Sequence, residues 1–312
     1  METQIKCPSG EMEFFMGKQL RGMTMLMITA FIWGTAFVAQ RFGMDHVGPV
    51  TFIAVRFAVG GVSLLPAIWI NSLFRRNREQ VEENSHPNAL LLGGLYCGVI
   101  LFVCTILQQV GIIYTTVGKS GFITTLYIVI VPILGLFIGR KSPLFTWCCV
   151  AAAVIGMYML CVSEAVSLNK GDVYTLGCAF FYAVHILVID RYSPIVDGVK
   201  LSCIQFFVCG AIAFAAAFIF EQPELSAIIS AWAPILYTGV LSSGLAYTFQ
   251  ILGQKDVNPV AASLIMSLES VFAVLTGWVI LGETLSSREI TGCILIFTSN
   301  MLIQIWGLRN HD

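Results

Sequence analysis

Three ionisable side chains stand alone inside long apolar stretches of this chain: Arg56 in TFIAVRFAVGG, His185 in FYAVHILVI and Glu269 in LIMSLESVFAV. A charge at the centre of a membrane-spanning helix costs roughly 2.5–3.5 kcal/mol on insertion scales, so such residues face the bundle interior or a watery path. Arg56 offers a fixed positive charge and a planar fork of donors suited to a carboxylate or another anion. Glu269 is the one carboxylate well inside an apolar run. It can carry a proton, or serve as a fixed partner for Arg56 or Lys119. His185 is the other group able to change charge near neutral pH. Glu269 and His185 are therefore the proton-coupling candidates. Static roles compete with each: snorkelling for Arg56, an ion pair for Glu269, simple packing for His185.

Around these lie neutral groups that can bond a polar solute. Lys119 opens a run containing Ser120, Thr124, Thr125 and Tyr127, while Gln108 and Gln250 stand in two other runs. Trp33, Tyr182 and Tyr247 fall inside apolar runs instead of at their ends, where such rings usually anchor at the interface. The candidate cavity set is Trp33, Arg56, Gln108, Lys119, Tyr127, Tyr182, Tyr247 and Gln250. The competing role is plain helix-helix bonding, at about 0.6 kcal/mol per contact. No catalytic residue, cofactor or metal site is assigned. The ten cysteines contain no CxxC, and nine lie in apolar runs as small hydrophobes. The tetrapeptide Gly118-Lys119-Ser120-Gly121 fails as a P-loop because position 113 is Ile113 instead of Gly.

The elements that must position these residues are ten apolar segments, near 22-42, 49-74, 89-113, 117-139, 143-162, 172-191, 198-220, 231-253, 258-281 and 287-308. About 20 apolar residues of helix cross a bilayer core of ~30 Å. Charged residues are 11% of the chain, hydrophobic residues 57% and the mean hydropathy is +0.84, which excludes an ordinary soluble protein. The runs lack strand alternation, so the expected fold is all-α and polytopic, with ten transmembrane helices. The longest polar connection, Arg75 to Asn88, has 14 residues and leaves no room for a soluble catalytic domain. Lys and Arg number twelve in one set of alternate loops and four in the other (Arg41, Lys119, Lys170 and Arg288), which places both termini in the cytoplasm. The expected layout is a tail over 1-21, helices 1 to 5 over 22-162, and helices 6 to 10 over 172-308.

The two groups of five are similar. An offset of 142 aligns Gln108 with Gln250, Gly111 with Gly253, Leu126 with Leu268 and Gly135 with Gly277. An offset of 149 aligns Trp33 with Tyr182, Phe57 with Phe206 and Gly61 with Gly210. An odd number of spans per repeat makes the halves insert with opposite orientation, an architecture that recurs among secondary transporters. Gly94 with Gly98, and Gly135 with Gly139, have the spacing of close helix contacts. Ser286 and Glu289 form a capping box that starts the last helix.

The runs WGTAFVAQRFGMDHVGPVTFIAVRF (33-57), GFITTLYIVIVPILG (121-135) and LESVFAVLTGWVILGETLS (268-286) resemble the paired domains of EamA-type permeases in the drug/metabolite transporter superfamily. The resemblance spans both halves and includes an Arg at the place of Arg56. It implies an inner-membrane permease, commonly an exporter of amino acids or other small metabolites. Pro132 in the fourth segment is matched by Val274 in the ninth, so only the fourth is expected to kink. The expected function is a secondary carrier working by alternating access, with a small-molecule metabolite and protons as partners, the lipid bilayer as its medium, and no nucleic acid. Two alternatives stand beside it. One is a rhomboid-like intramembrane serine protease using Ser120 and His185; the other is a non-transporting channel or sensor.

Overall fold

The computed structural model describes residues 9–76, 87–115, 117–161, 169–281 and 286–309, and the described chain is helical throughout. The first three spans are α1 (Ser9–Met44), α2 (Pro49–Arg76) and α3 (Pro87–Tyr114). The fourth is made of α4 (Val117–Thr125) and α5 (Tyr127–Phe137), and the fifth is α6 (Leu144–Cys161). In the second half α7 (Lys170–Tyr192) and α8 (Gly198–Phe220) are followed by the short α9 (Leu225–Ser230). The eighth span joins α10 (Trp232–Leu236), a π-helical segment (Tyr237–Tyr247) and α11 (Thr248–Gln254). The ninth is α12 (Pro259–Met266) with α13 (Glu269–Leu281), and the tenth is α14 (Ser287–Arg309). Nine of these spans are long and apolar enough to cross a membrane by themselves, and Leu144–Met159 is the shorter tenth. Helix α1 starts at Ser9, well before the apolar run, and the stretch from Ser9 to Leu20 contains no proline.

Local sequence fixes many helix starts. Asn169 caps α7 reciprocally, accepting from Asp172 N at 3.0 Å while the Asp172 carboxylate accepts from Asn169 N at 2.8 Å. Asp197 caps α8 through Val199 N and Lys200 N, and Asn258 caps α12 through Ala261 N just before Pro259. The Ser286–Glu289 box is present at α14. Helix α5 ends in a Schellman motif: Gly139 has φ +81, Arg140 N donates to Gly135 O and Gly139 N to Leu136 O. That corrects the reading of Gly135 and Gly139 as packing residues, because a side chain at either would meet almost nothing. Gly94 and Gly98 do receive a neighbour, with Ile204 and Val208 of α8 pressed against them.

The helix pairings repeat with the halves exchanged. Helix α3 lies against α7, and its counterpart, the π-helical segment with α11, lies against α1. Helices α4 and α5 pack on α7 as α12 and α13 pack on α1; α3 packs on α8 as the π-helical segment packs on α2. Counterparts also meet directly, α2 with α8 and α6 with α14. Such an exchange is what an axis in the membrane plane between inverted repeats produces. Two glycine pairs sit at equivalent crossings. A Cβ added to Gly22 would lie 2.9 Å from Gly253 O, and one on Gly253 would lie 2.8 Å from Gly22 O. The same holds for Gly111 and Gly171, at 3.2 and 2.7 Å. Only hydrogen at these positions lets the paired backbones approach so closely.

Candidate functional site

The interrupted helices place the centre of the molecule. Helix α4 gives way to α5 at Leu126, and α12 to α13 at Ser267 and Leu268, so the breaks are at equivalent positions of the two repeats. Each is one tightened turn: Leu126 N bonds Ile123 O, while Ser267 N bonds Leu264 O and Leu268 N bonds Ile265 O. Hydroxyl groups take carbonyls there, Thr125 on Phe122 O, Ser267 on Leu264 O and Ser270 on Ser267 O. The kink expected in the fourth span alone is tied to Pro132, and these breaks are separate from it. Pro132 lies within α5, past its break, and the ninth span breaks with no proline. Tyr127 and Glu269 are the first residues after the two breaks, and Tyr127 OH donates to Glu269 Oε1 at 3.5 Å.

Between the halves lies a cavity lined by Trp33, Phe37, Gln40, Arg56, Gln108, Thr124, Tyr127, Tyr182, Ser242, Tyr247 and Glu269. Helix α1 brings Trp33 and Gln40, α2 Arg56, α3 Gln108, α7 Tyr182, and the eighth and ninth spans the remaining second-half residues. Arg56 is 2% exposed; its Nη1 donates to Gln40 Oε1 at 3.0 Å and, among the described residues, its Nε has no partner. The guanidinium carbon sits 4.7 Å from the Phe57 ring centroid, an aromatic face that partly compensates the missing water. Glu269 is 5% exposed and, among the described residues, makes no ion pair with Arg56. Among the described residues the cavity therefore carries Arg56 and Glu269 without an ion pair between them.

Its floor is aromatic. Tyr182 OH and Tyr247 OH share a hydrogen bond at 3.1 Å, and the Trp33 ring lies 4.6 Å from Tyr247. Tyr182 OH also reaches Gln108 Oε1 at 3.5 Å. The π-helical segment sets this wall: Trp33 Nε1 donates to Ser242 O at 3.1 Å, Thr29 Oγ1 to Ala246 O at 2.9 Å and Thr248 Oγ1 to Gly244 O at 2.6 Å. Side chains bonded into a helix ladder are a recognised cause of such local distortion.

Of the eight candidate cavity residues, Trp33, Arg56, Gln108, Tyr127, Tyr182 and Tyr247 line this cavity, together with Glu269. Gln250 is buried and lies outside the lining. Lys119 belongs to the backbone of α4, and its side chain lies outside the described residues. His185 is also apart, with Nε2 at 3.1 Å from Gln205 Oε1. Ser120 Oγ is 3.5 Å from Thr175 Oγ1, so Ser120 and His185 have separate partners and form no Ser/His pair. Gln40, Phe37 and Ser242 escaped sequence reasoning. Gln40 had a signal, since it and Arg56 flank one short connection; Ser242 had none, because a π-helical stretch shifts the face that residue spacing predicts.

A ten-span, two-repeat helical bundle with a polar cavity between its halves defines a membrane carrier class. The profile of the EamA-like transporter family matches residues 20–162 and 169–305, and the chain belongs to that family. An uncharacterized transporter of Archaeoglobus fulgidus is 26% identical over 90% of this chain and 84% of its own. The uncharacterized inner membrane transporter YedA of Escherichia coli K12 is 24% identical, over 83% and 82%. The uncharacterized transporter YoaV of Bacillus subtilis is 20% identical, over 87% and 92%. A solved crystal structure at 16% identity superimposes with a TM-score of 0.74 over 93% of this chain and 99% of its own, which shows a common fold. Protease chemistry has no support in family or geometry.

Proposed function

We propose that this transporter is a secondary carrier that exports amino acids or similar small metabolites across the inner membrane by alternating access. The observation that carries the reading is the coexistence of Arg56 and Glu269 in one cavity without an ion pair between them. A solute bearing a carboxylate and an ammonium group satisfies both: the carboxylate takes the free donors of Arg56, and the ammonium faces Glu269. Trp33, Tyr127, Tyr182 and Tyr247 hold the rest of the solute by apolar contact, with Gln108 as a neutral hydrogen-bonding group. Lys119 and Gln250 complete the candidate set.

Glu269 and His185 are the proton-coupling candidates. The Lys and Arg bias puts both termini in the cytoplasm, and the two repeats, 22-162 and 172-308, rock about the cavity. Under that orientation Gln40, Arg56 and Gln108 stand in the outer half of the membrane.

Proteoliposomes loaded with unlabelled amino acid test the reading. Saturable counterflow of the labelled amino acid is expected, with weaker exchange for its amide, which lacks the carboxylate. If no solute in a broad panel of amino acids and small metabolites exchanges saturably, the carrier reading falls.

A further inference from the structure

Behind the tyrosine floor lies a second set of polar groups. His185, Gln205 and Gln250 are 0%, 0% and 1% exposed. None of them lines the cavity. Among the described residues each keeps a polar atom without a hydrogen-bond partner: His185 Nδ1, Gln205 Nε2 and Gln250 Oε1. Burying such an atom unpaired is unfavourable, so three on neighbouring elements call for a physical reason.

Position supplies one. Gln205 is the repeat counterpart of Arg56, at the offset of 149, and Gln250 is the counterpart of Gln108, at 142. Arg56 and Gln108 line the cavity toward the face where α1 ends and α2 begins. Their counterparts point to the opposite face, where α7 ends at Tyr192 and α8 begins at Gly198. The His185 ring stands perpendicular to Tyr247 at 6.2 Å, and Gln250 follows Tyr247 by three residues, on the same side of its helix. The Tyr182–Tyr247 pair thus stands between the polar groups that line the cavity and the three that do not.

We propose that His185, Gln205 and Gln250 line the solute path in the oppositely facing state, as a second hydrogen-bonding site for the same solute. In that state the Tyr182–Tyr247 contact parts and the three unpaired atoms meet water and the polar groups of the solute. This site differs from its counterpart in chemistry: Gln205 stands where Arg56 would be, so it carries no fixed charge. An anionic group is held more weakly there, which favours release on that side or, in reverse, demands a higher concentration for entry. The inference rests on the alternating-access reading, and its test is separable from it.

The test is thiol labelling of Gln205→Cys and Gln250→Cys in sealed vesicles of both orientations, using a membrane-impermeant methanethiosulfonate. Wild type supplies the background of native cysteines, and monodisperse gel filtration establishes that each variant folds. Both variants are expected to label from the α7–α8 face roughly tenfold faster than background, as a minor state opens. Gln40→Cys should label from the α1–α2 face. If neither Gln205→Cys nor Gln250→Cys labels from the α7–α8 face, the inference is overturned, whether or not counterflow is seen. Absence of counterflow in the wild type would instead overturn the carrier reading, and with it the assignment of these groups to a solute path, even where both variants label.

Discussion

Tyr127 and Glu269 occupy equivalent places in the two repeats and face each other across the axis that relates them, hydroxyl to carboxylate, at 3.5 Å. Phe57 and Phe206 do the same one layer away, stacked at 5.7 Å and 26°. Residues that meet their own counterparts mark the axis that relates the two halves. A carboxyl group on that axis is reachable from either side in an alternating-access cycle.

Glu269→Gln is therefore expected to raise the KM of amino acid counterflow, because the solute ammonium loses its carboxylate partner, and to lose accumulation driven by a pH gradient. Tyr127→Phe should keep counterflow and accumulation, with a modest loss of rate. Proteoliposomes with an imposed pH step give the measurement. Gradient-driven uptake unchanged in Glu269→Gln and in His185→Ala would reject proton coupling through these residues.

Arg56→Gln removes the charge-assisted donors, worth about 1.5–3 kcal/mol, so KM for a carboxylate-bearing solute should rise roughly 10- to 100-fold. Arg56→Lys keeps the charge but not the fork and should lie between. Competition by the solute amide should be nearly unaffected. An equal loss for acid and amide would show that Arg56 acts in packing alone.

The glycine pairs make a prediction about assembly. Gly253→Ala drives a methyl group into the Gly22 carbonyl, and Gly171→Ala drives one into that of Gly111. Each should cost about 1–3 kcal/mol, the usual cost of overpacking a close contact. Thermal unfolding in detergent, followed by monodispersity, should show both variants lowered in Tm. Gly139→Asn should be mild, because Asn also tolerates positive φ.

Glu221 closes the α8 end onto the start of α2: its carboxylate accepts from Val50 N at 2.9 Å, Thr51 N at 2.7 Å and Thr51 Oγ1 at 2.8 Å. It serves as an N-cap supplied by the other half of the chain. Glu221→Ala should lose about 1 kcal/mol, as caps do, and Glu221→Gln less. Measured unfolding midpoints in the two variants, in that order, would check the assignment.

Much of the architecture was legible in the residues. Ten apolar runs, their spacing and the repeat offsets are properties of the chain read in one dimension, and Asn258-Pro259 or Ser286 with Glu289 announce helix starts by local chemistry. The eight candidate cavity residues were picked by polarity within apolar runs, and six of them share one cavity. Polarity alone did not separate Gln108 from Gln250, since these equivalent glutamines are alike in sequence and only the folded chain brings Gln108 and not Gln250 to the cavity.

The sequence alone determined that this chain lives in a bilayer, crosses it ten times and consists of two related halves, because hydropathy and spacing depend on the chain and its solvent. Tertiary structure decided which faces meet, that the fourth and ninth spans both break near the middle, and that Arg56 pairs with Gln40 while Glu269 does not pair with Arg56. The reason is that lipid tails and helix interfaces are equally apolar, so a helix can turn about its axis without changing any hydropathy pattern. Only packing, set by small residues such as Gly22 and Gly253 and by bonds such as Trp33 to Ser242 O, fixes that rotation.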